Sequence, residues 1–356
     1  MIFRTVTPPQ LTPDEIGAWV AIQRANPLLS SPYFRPEFTQ AVAAVRDDVE
    51  VAVAEVDGRP VGFFPYQRGR ANIGRPVGGR LSDFQALIAA PGCSADPLEM
   101  LRACHLSAWH FDHLLVEQNE FRPFTWRADD SPYIDLNGGL EGYLRAKENG
   151  SSLRSEYGQK RRKIEREVGP LRFEPDTRDE DILATCFRWK EQQYLRTGAP
   201  NVFAYEWVLK LFDKLLSYRG EDFAPMVSVL YAGDKIAAIN FCLRSRNVLH
   251  AWFPAYNVEM ASYSPGTLHW MELMRAMPAF GISRIDLGKG PEKFKRRFMS
   301  GAIQVSEGTV DLRLVATLVR RAWHHARDRI RDSRLYGPAR MPATIIYRFN
   351  HWLECR

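Results

Sequence analysis

Residues 263–277 read YSPGTLHWMELMRAM, a Ser-Pro-Gly corner that runs directly into apolar residues at helical spacing. Ser264 is a favoured N-cap residue, and Pro265 suits the first helical turn because its missing N–H has no partner there. Gly266 has no side chain to keep a ligand away from the backbone. Unpaired N–H groups at a helix start also attract phosphate. The stretch therefore predicts a helix start, and it leaves open an anion site formed by Ser264, Pro265, Gly266 and Thr267.

The segments on either side of this helix predict strands. NVLHAWFPAY (247–256) precedes it, and RIDL (284–287) follows Gly281, a favoured helix C-cap. A strand, a helix and a strand in about forty residues make a βαβ unit with parallel strands. Ligands of such units gather at the carboxyl ends of the strands, beside the helix N-terminus. We expect the Ser-Pro-Gly corner to lie there.

Two similar hairpin patterns start in the two halves of the chain. VAVAEVDGRPVGFFPYQR (51–68) and VSVLYAGDKIAAINFCLR (227–244) each contain two apolar runs joined by a Gly/Asp turn. The pattern predicts two related α/β domains, although two unrelated hairpins would look the same. The apolar spacing predicts further helices at 12–25, 36–46, 97–109, 140–167, 179–196 and 204–218. Further strands are predicted at 110–118, 131–136 and 171–175.

Composition indicates a globular chain that is long enough for two domains. Hydrophobic residues make up 45% of the 356 positions and charged residues 25%. No apolar run approaches the ~20 residues of a bilayer span, and MIFRTVTPPQ lacks the apolar core of a signal peptide. The five cysteines form no C-x-x-C pattern, which argues against a zinc site or a disulfide framework. We expect a cytoplasmic protein, and its net charge of +6 favours anionic partners.

The longer stretch AWFPAYN…YSPGTLHWMELMRAMPAFGISRIDLGKGPEKFKRRF resembles the C-terminal motif of CelD/BcsL-type acetyltransferases. These belong to the GNAT superfamily, occur around bacterial cellulose and exopolysaccharide synthesis, and are similar to the FemABX aminoacyltransferases. SLRSEYGQKRRKIEREVGP (152–170) resembles the basic helix before the second domain of that family. The resemblance covers 150–305 well and 1–150 more loosely.

This resemblance implies an α/β fold of two tandem GNAT-like domains, each a mixed, twisted sheet flanked by helices. The expected N-terminal domain is 1–150, and the expected C-terminal domain, with the acyl-donor site, is 151–310. A basic amphipathic helix and tail are expected at 311–356. Six arginines lie between 320 and 334.

The implied activity is transfer of an acyl group from acyl-coenzyme A to an amine of an amino sugar in an envelope or exopolysaccharide precursor. In GNAT folds two parallel strands splay apart and the thioester lies in the gap. The donor pyrophosphate then lies on Ser264, Pro265, Gly266 and Thr267, although the usual Q/R-x-x-G-x-G/A loop has more glycines. Gly288 and Gly290, in tight-turn positions, are assigned to the same site. No metal is implied.

Four residues are candidates for the chemistry, and each has a structural alternative. Asp286 could take the proton of the amine, or cap the turn that follows it. Tyr256 could protonate the leaving thiolate, or pack at a strand end. His269 lies in a first helical turn, which lowers proton affinity and suits a base, or it is a packing residue. Lys295, after the aromatic Phe294, matches a family lysine beside the acceptor, or is solvated.

Acceptor binding is assigned to residues of both domains. Asp83 in SDFQ loosely matches an acidic residue that faces the cleft in FemABX relatives, or it is a turn aspartate. Arg154, Arg161 and Arg162 lie on the basic helix, which could instead be a solvated face. Phe294 completes the predicted set of acceptor contacts. The acceptor could be nucleotide-linked, lipid-linked or polymeric, and peripheral contact with the inner membrane or a polysaccharide synthase is a further expectation.

Other functions stay open at this point. One is an aminoacyltransferase that uses aminoacyl-tRNA, and another is a non-catalytic module that binds nucleotide or polysaccharide. Sequence-specific nucleic-acid binding lacks a recognised motif. His110 and His113 would lie on opposite faces of a strand, which argues against a shared metal. GRPVGGR (74–80) is not followed by the lysine and helix of a P-loop.

Overall fold

The computed structural model describes residues 1–290 and 292–313. The predicted helix at 320–334 lies outside these residues, as does nearly all of the predicted tail. The helices are α1 (Pro13–Ala25), α2 (Pro36–Ala43), α3 (Pro97–Ala103), α4 (Gly139–Ala146), α5 (Gly150–Glu167), α6 (Glu180–Thr197), α7 (Glu206–Leu215), α8 (Pro265–Ala276) and α9 (Lys293–Phe298). None of the described helices has the length and apolarity that a bilayer crossing requires.

The strands form one mixed sheet. They are β1 (Ile2–Val6), β2 (Val49–Val56), β3 (Arg59–Arg68), β4 (Ile73–Arg75), β5 (Ile88–Ala89), β6 (Ala108–Leu115), β7 (Thr125–Asp135), β8 (Leu171–Glu174), β9 (Ala224–Ala232), β10 (Lys235–Ser245), β11 (Val248–Tyr256), β12 (Arg284–Asp286) and β13 (Gly301–Asp311). Their order in the sheet is β1-β2-β3-β4-β6-β13-β7-β12-β11-β10-β9-β8, and β5 pairs with β3 outside that path. The predicted class, a mixed sheet flanked by helices, is confirmed.

Both predicted hairpins are present. β2 pairs antiparallel with β3, and β9 pairs antiparallel with β10. The first turn contains Asp57 and Gly58 with φ of 51° and 71°, and the second contains Gly233 with φ of 56°. Positive φ is the backbone conformation for which Gly and Asp are favoured in such turns. The hairpins lie towards opposite edges of the sheet, as two related halves would place them.

β13 joins the two halves of the sheet. It pairs antiparallel with β6 on one side and with β7 on the other. The last described strand is therefore inserted among strands that precede residue 136. This strand was missed in the sequence, where its alternation is interrupted by Gly308.

The predicted βαβ unit is confirmed. β11 leads into α8 and returns as β12, which pairs parallel with β11. On α8, Leu268, Met271 and Met274 are buried at helical spacing and pack in the same apolar cluster as Ile285 of β12. Burial of this face fixes α8 on the sheet. The neighbouring prediction of a helix over 97–109 was too long, because the chain turns at His105 (φ of 52°) and extends as β6 from Ala108.

Candidate functional site

β11 and β12 separate just past their third residue pair. His250 of β11 lies opposite Asp286, the last residue of β12. β11 continues to Tyr256 and pairs there only with β10 among the described strands. The edge of β11 that faces the chain after β12 therefore has no partner among the described strands. We call this opening the fork and define it by residues 251–256 on one side and 287–290 on the other.

A carboxylate from the first half of the chain lies at the start of the fork. Asp83 Oδ2 accepts a hydrogen bond of 2.8 Å from Nε2 of His250, which is fully buried. Nε2 of His113 lies 3.9 Å from Asp83 Oδ1. Burial alone would raise the pKa of Asp83, but the hydrogen bond from His250 and the charges of His113 and Lys295 lower it further than burial raises it. Asp83 is thus an ionised group at neutral pH.

Two glycines after β12 permit close contacts at the fork. Gly288 has φ of 71°, and a Cβ placed on it would lie 2.8 Å from Asp83 Oδ2. Gly290 has φ of 154°, and a Cβ there would lie 2.8 Å from Lys295 Nζ. A side chain at either position would displace a charged group.

Lys295 packs against the loop that follows β12. It is only 7% exposed, and its Nζ donates to the carbonyl of Lys289 and pairs with Glu292, both at 3.0 Å. Phe294, predicted to contact the acceptor, stacks instead on Trp270 of α8 with ring centroids 5.8 Å apart. That contact anchors α9, and with it Lys295, to α8.

The Ser-Pro-Gly corner lies at the N-terminus of α8. Leu268 N–H donates to Ser264 O at 3.2 Å, and the amides of Gly266 and Thr267 come before it without a backbone acceptor in the described chain. A Cβ on Gly266 would meet no atom within 4 Å, so the corner is open. Ser264 is the N-cap residue of α8, as the sequence predicted. Its φ is 55°, however, and its side chain makes no capping hydrogen bond with the described residues.

The basic helix α5 runs beside this corner. Lys160 Nζ donates to Ser262 O at 2.9 Å, and Lys163 Nζ lies 5.2 Å from the ring centre of Tyr263. The predicted arginines are placed differently. Arg154 pairs with Glu141, Arg161 pairs with Glu165, and Arg162 is exposed. Two lysines of the basic helix, rather than the predicted arginines, thus contact the residues that lead into the corner.

The acetyltransferase (GNAT) domain family model matches residues 151–296, which contain α5, the corner, the fork and Lys295. Residues 151–296 are thus similar to a GNAT domain, and they are called the GNAT domain below. Solved structures agree on the fold: FemX has a TM-score of 0.58 at 10% identity and covers 89% of this chain and 99% of its own. A tandem GNAT protein from the clavulanic acid biosynthesis pathway has a TM-score of 0.50 at 10% identity, with 87% and 98% covered.

A third similar structure is the C-terminal domain of a protein described as a putative lysylphosphatidylglycerol synthetase from Agrobacterium fabrum. It has a TM-score of 0.55 at 14% identity and covers 86% of this chain and 93% of its own. No curated protein matches the sequence. The fold is thus tandem GNAT-like and FemX-like, and the narrower resemblance to CelD/BcsL stays a prediction.

Asp286 of the GNAT domain has a partner that sequence analysis did not assign. Its side chain is fully buried, and Arg284 Nε donates to its Oδ1 at 2.8 Å. The two residues are two apart on β12 and so share one face of the sheet. Asp286 is therefore neither the predicted turn cap nor a free base in contact with an acceptor.

His269 of the GNAT domain lies in the core. It is 3% exposed, and its Nε2 hydrogen-bonds with Ser228 Oγ at 3.0 Å. Burial lowers the pKa of His269 to about 4. The ring is neutral and packed, which does not fit a base in contact with substrate. Tyr256, at the exposed end of β11, is 45% exposed, and its role as a proton donor stays a prediction.

Lys190 on α6 is a site residue that the sequence did not reveal. It is 7% exposed, and its Nζ donates to Gln193 Oε1 at 3.0 Å and to Pro254 O, on the fork side of β11, at 3.4 Å. No carboxylate pairs with it among the described residues. Burial lowers the pKa of Lys190 to about 8, and the charges of Glu292 and Lys295 also act on it. A buried ammonium with few partners, next to other ionisable groups, is typical of functional sites.

The two histidines of β6 contact different groups. His110 Nδ1 hydrogen-bonds with Thr309 Oγ1 at 2.7 Å, whereas His113 pairs with Asp112 and Asp83. His113 thus lies beside the carboxylate at the start of the fork, a position the sequence did not indicate. No group of three or more His, Cys, Asp or Glu residues in the described chain is arranged to hold a metal ion.

Proposed function

We propose that this chain transfers an acyl group from acyl-coenzyme A to an amine at the fork of its GNAT domain. One observation carries the proposal: ionised Asp83, from the first half, lies at the start of the fork near Lys295. The carboxylate would hold the ammonium of the acceptor. The ammonium of Lys295 would offset negative charge on the thioester oxygen during attack.

The donor is proposed to bind along the corner and the fork. The open amides of Gly266 and Thr267, at the positive end of the α8 dipole, would hold its pyrophosphate. Lys160 and Lys163 lie beside the same corner and add positive charge. The thioester would extend into the fork, where the edge of β11 lacks a strand partner.

Lys190 is the group proposed to take the proton of the amine. Asp83 is a poor base because its pKa is low, Asp286 is held by Arg284, and His269 is buried. With a pKa of about 8, Lys190 is partly neutral at physiological pH and can accept a proton. The neutral amine then attacks the thioester carbon, and the C–S bond breaks. The proton on Lys190 passes to the thiolate, and Lys190, neutral again, takes the second proton that the nitrogen loses as the amide forms.

The acceptor is proposed to be an amino sugar of an envelope or exopolysaccharide precursor. The support is the resemblance of the region from AWFPAYN to EKFKRRF to the CelD/BcsL-type motif. The net charge of +6 favours an acceptor that carries phosphate or another anion. An aminoacyl-tRNA donor and a non-catalytic role are the outcomes against which the proposal is tested.

Thermal shift of the purified chain with acetyl-CoA and longer acyl-CoAs tests the donor. A ligand that binds the native state raises the melting temperature. The shift should disappear in Gly266→Trp, whose side chain fills the open corner, and persist in Gly17→Trp, a helix position that is also open but lies in the first half. Release of free thiol with glucosamine as acceptor measures turnover.

Three results would overturn parts of this proposal. A chain that shifts with no acyl-CoA does not use this donor, and aminoacyl-tRNA becomes the next substrate to assay. A shift that survives Gly266→Trp removes the corner from donor binding. Binding without thiol release for any amine indicates a module that binds its ligand without turnover.

A further inference from the structure

A second concave site lies at the opposite end of β11 and β12 from the fork. It is a cleft of about 220 Å³ between the C-terminal end of α1 and the turn that joins β10 to β11. Three arginines line it: Arg24, Arg246 and Arg284. Apart from one proline, the other lining side chains are amides and hydroxyls, and no carboxylate of residues 1–290 or 292–313 lines the cleft.

The arginines outnumber the carboxylates that neutralise them. Arg24 and Arg246 share Asp222, which lies 3.8 Å from the Nε of Arg246. Arg284 pairs with Asp286. The three guanidinium groups therefore face two carboxylates, and each guanidinium has five N–H donors and no acceptor. The cleft has positive charge and hydrogen-bond donors left over.

Arg284 can donate hydrogen bonds to a ligand while it keeps its ion pair with Asp286. Its Nε and Nη2 donate to Asp286, and Nη2 also donates to Ser30 Oγ at 2.9 Å. Its Nη1 has no partner in the described chain. A ligand can therefore take the Nη1 donors while Asp286, which is fully buried, remains compensated.

The floor of the cleft is already ordered. Gln23 and Ser245 are 3% and 1% exposed, and Gln23 Nε2 donates to Leu29 O at 2.7 Å and to Ser245 Oγ at 3.4 Å. Arg246, next to Ser245, has φ of 50°. A left-handed conformation is unfavourable for most residues, and Gly or Asn is the usual choice. Arg246 nevertheless occupies this position and lines the cleft.

We propose that this cleft binds the anionic group of a small, hydroxyl-rich molecule: a sugar phosphate or a sugar acid. Guanidinium groups recognise phosphate and carboxylate with paired hydrogen bonds, and amides and hydroxyls suit sugar hydroxyls. The volume lies below the roughly 300–1,000 Å³ of drug-sized ligand sites, and no aromatic ring of the described part of the chain lines the cleft to stack a base. Both features favour a single sugar over a nucleotide. The proposal does not rest on acyl transfer.

Calorimetry on the full chain at fixed ionic strength tests it, with glucose 1-phosphate, glucuronate, glucose and inorganic phosphate as probes. We expect glucose 1-phosphate or glucuronate to bind at least tenfold more tightly than glucose and inorganic phosphate. The preferred one of the two identifies the anionic group. Arg246→Asn should weaken that binding at least tenfold, and asparagine accepts the positive φ, so the fold is kept. Arg24→Gln provides a second lining variant.

Two control variants distinguish binding in the cleft from binding elsewhere on the chain. Arg172→Asn removes the same charge from an exposed position on β8 and should leave binding unchanged. Gly266→Trp blocks the proposed donor corner and should also leave it unchanged. Absence of binding by both anionic sugars overturns the proposal. So does equal weakening in Arg172→Asn, loss in Gly266→Trp, or inorganic phosphate binding as tightly as the sugars.

Discussion

Asp83 and His250 are 167 positions apart in the sequence and are joined by a hydrogen bond of 2.8 Å. His250 is also the last residue of β11 that pairs with β12. Tyr33 and Phe84 pack edge-on against its ring, with centroids 5.0 and 6.2 Å away, and hold it in place. The first half of the chain thus supplies the charged group at the point where the fork opens, and neither half carries both residues.

Asp83→Asn is expected to lower kcat/KM for the amine about 10–100-fold, the range that corresponds to the loss of one hydrogen bond to a charged group. An amide still accepts the hydrogen bond from His250, but it no longer attracts an ammonium. Kinetics over a range of amine concentrations and a thermal shift with acyl-CoA check this. Donor binding should be unchanged, and normal turnover in the variant would remove Asp83 from acceptor binding.

Gly288→Ala and Gly281→Ala form a matched pair. Both glycines have φ near 70°, so each alanine should cost about 1 kcal/mol of stability. A Cβ on Gly281 meets nothing within 4 Å, whereas one on Gly288 lies 2.8 Å from Asp83 Oδ2. We expect a loss of turnover only for Gly288→Ala, and its unfolding midpoint in urea should be no higher than that of Gly281→Ala, because Asp83 must shift. Equal turnover in the two variants would show that the close contact between Gly288 and Asp83 is not needed for activity.

Local signals in the sequence identified much of the fold. The βαβ unit and both hairpins follow from apolar periodicity and from Gly and Asp at turns, which act over a few residues. The insertion of β13 between β6 and β7 depends on pairing with strands far away in sequence, which no local pattern encodes. Ser264 shows the limit of such local rules. Its residue type predicts an N-cap, but the preceding turn at Val258–Tyr263 leaves it in a left-handed conformation, in which its side chain makes no capping bond with the described residues.

Within the candidate site, sequence motifs identified several residues but did not predict what their side chains contact. Lys295 and Asp83 came from family resemblance. Lys190 looks like any solvated lysine of a helix, and only the packing of α6 on β11 shows that it is buried. The sequence left Asp286 as a proton acceptor or a turn cap and did not predict its pairing with Arg284, which depends on both side chains facing the same way from β12.

Lys190→Met should stabilise the protein and lower its activity together. Below pH 8 the buried ammonium of Lys190 lowers the stability of the folded chain, because the pKa is about 8 in the folded chain and about 10.4 in the unfolded chain. Methionine removes a cost on the order of 1–3 kcal/mol at pH 7. That gain should shrink as the pH rises from 8 to 10, and urea unfolding at several pH values measures it.

The activity of the Lys190 variants provides the matching test. Wild-type turnover should rise with pH through about 8, as Lys190 loses its proton. Lys190→Arg keeps a positive charge that does not titrate in this range, so its turnover should be low and lack that rise. A variant that keeps the wild-type pH profile would show that Lys190 is not the base.

His269→Gln should remove one part of the acid sensitivity of the fold. Because burial holds the pKa of His269 near 4 while the unfolded value is about 6.5, the unfolded state binds the extra proton between these values. The stability that this neutral ring contributes is present above pH 6.5 and is lost as the pH falls towards 4, on the order of 2–3 kcal/mol in total. Glutamine can still hydrogen-bond to Ser228 but does not titrate.

Urea unfolding between pH 4 and 7 should therefore show a shallower pH dependence for His269→Gln than for wild type, whereas His105→Gln, at an exposed histidine, should follow wild type. Parallel curves for His269→Gln and wild type would mean that the ring is protonated in the folded protein and can reach solvent.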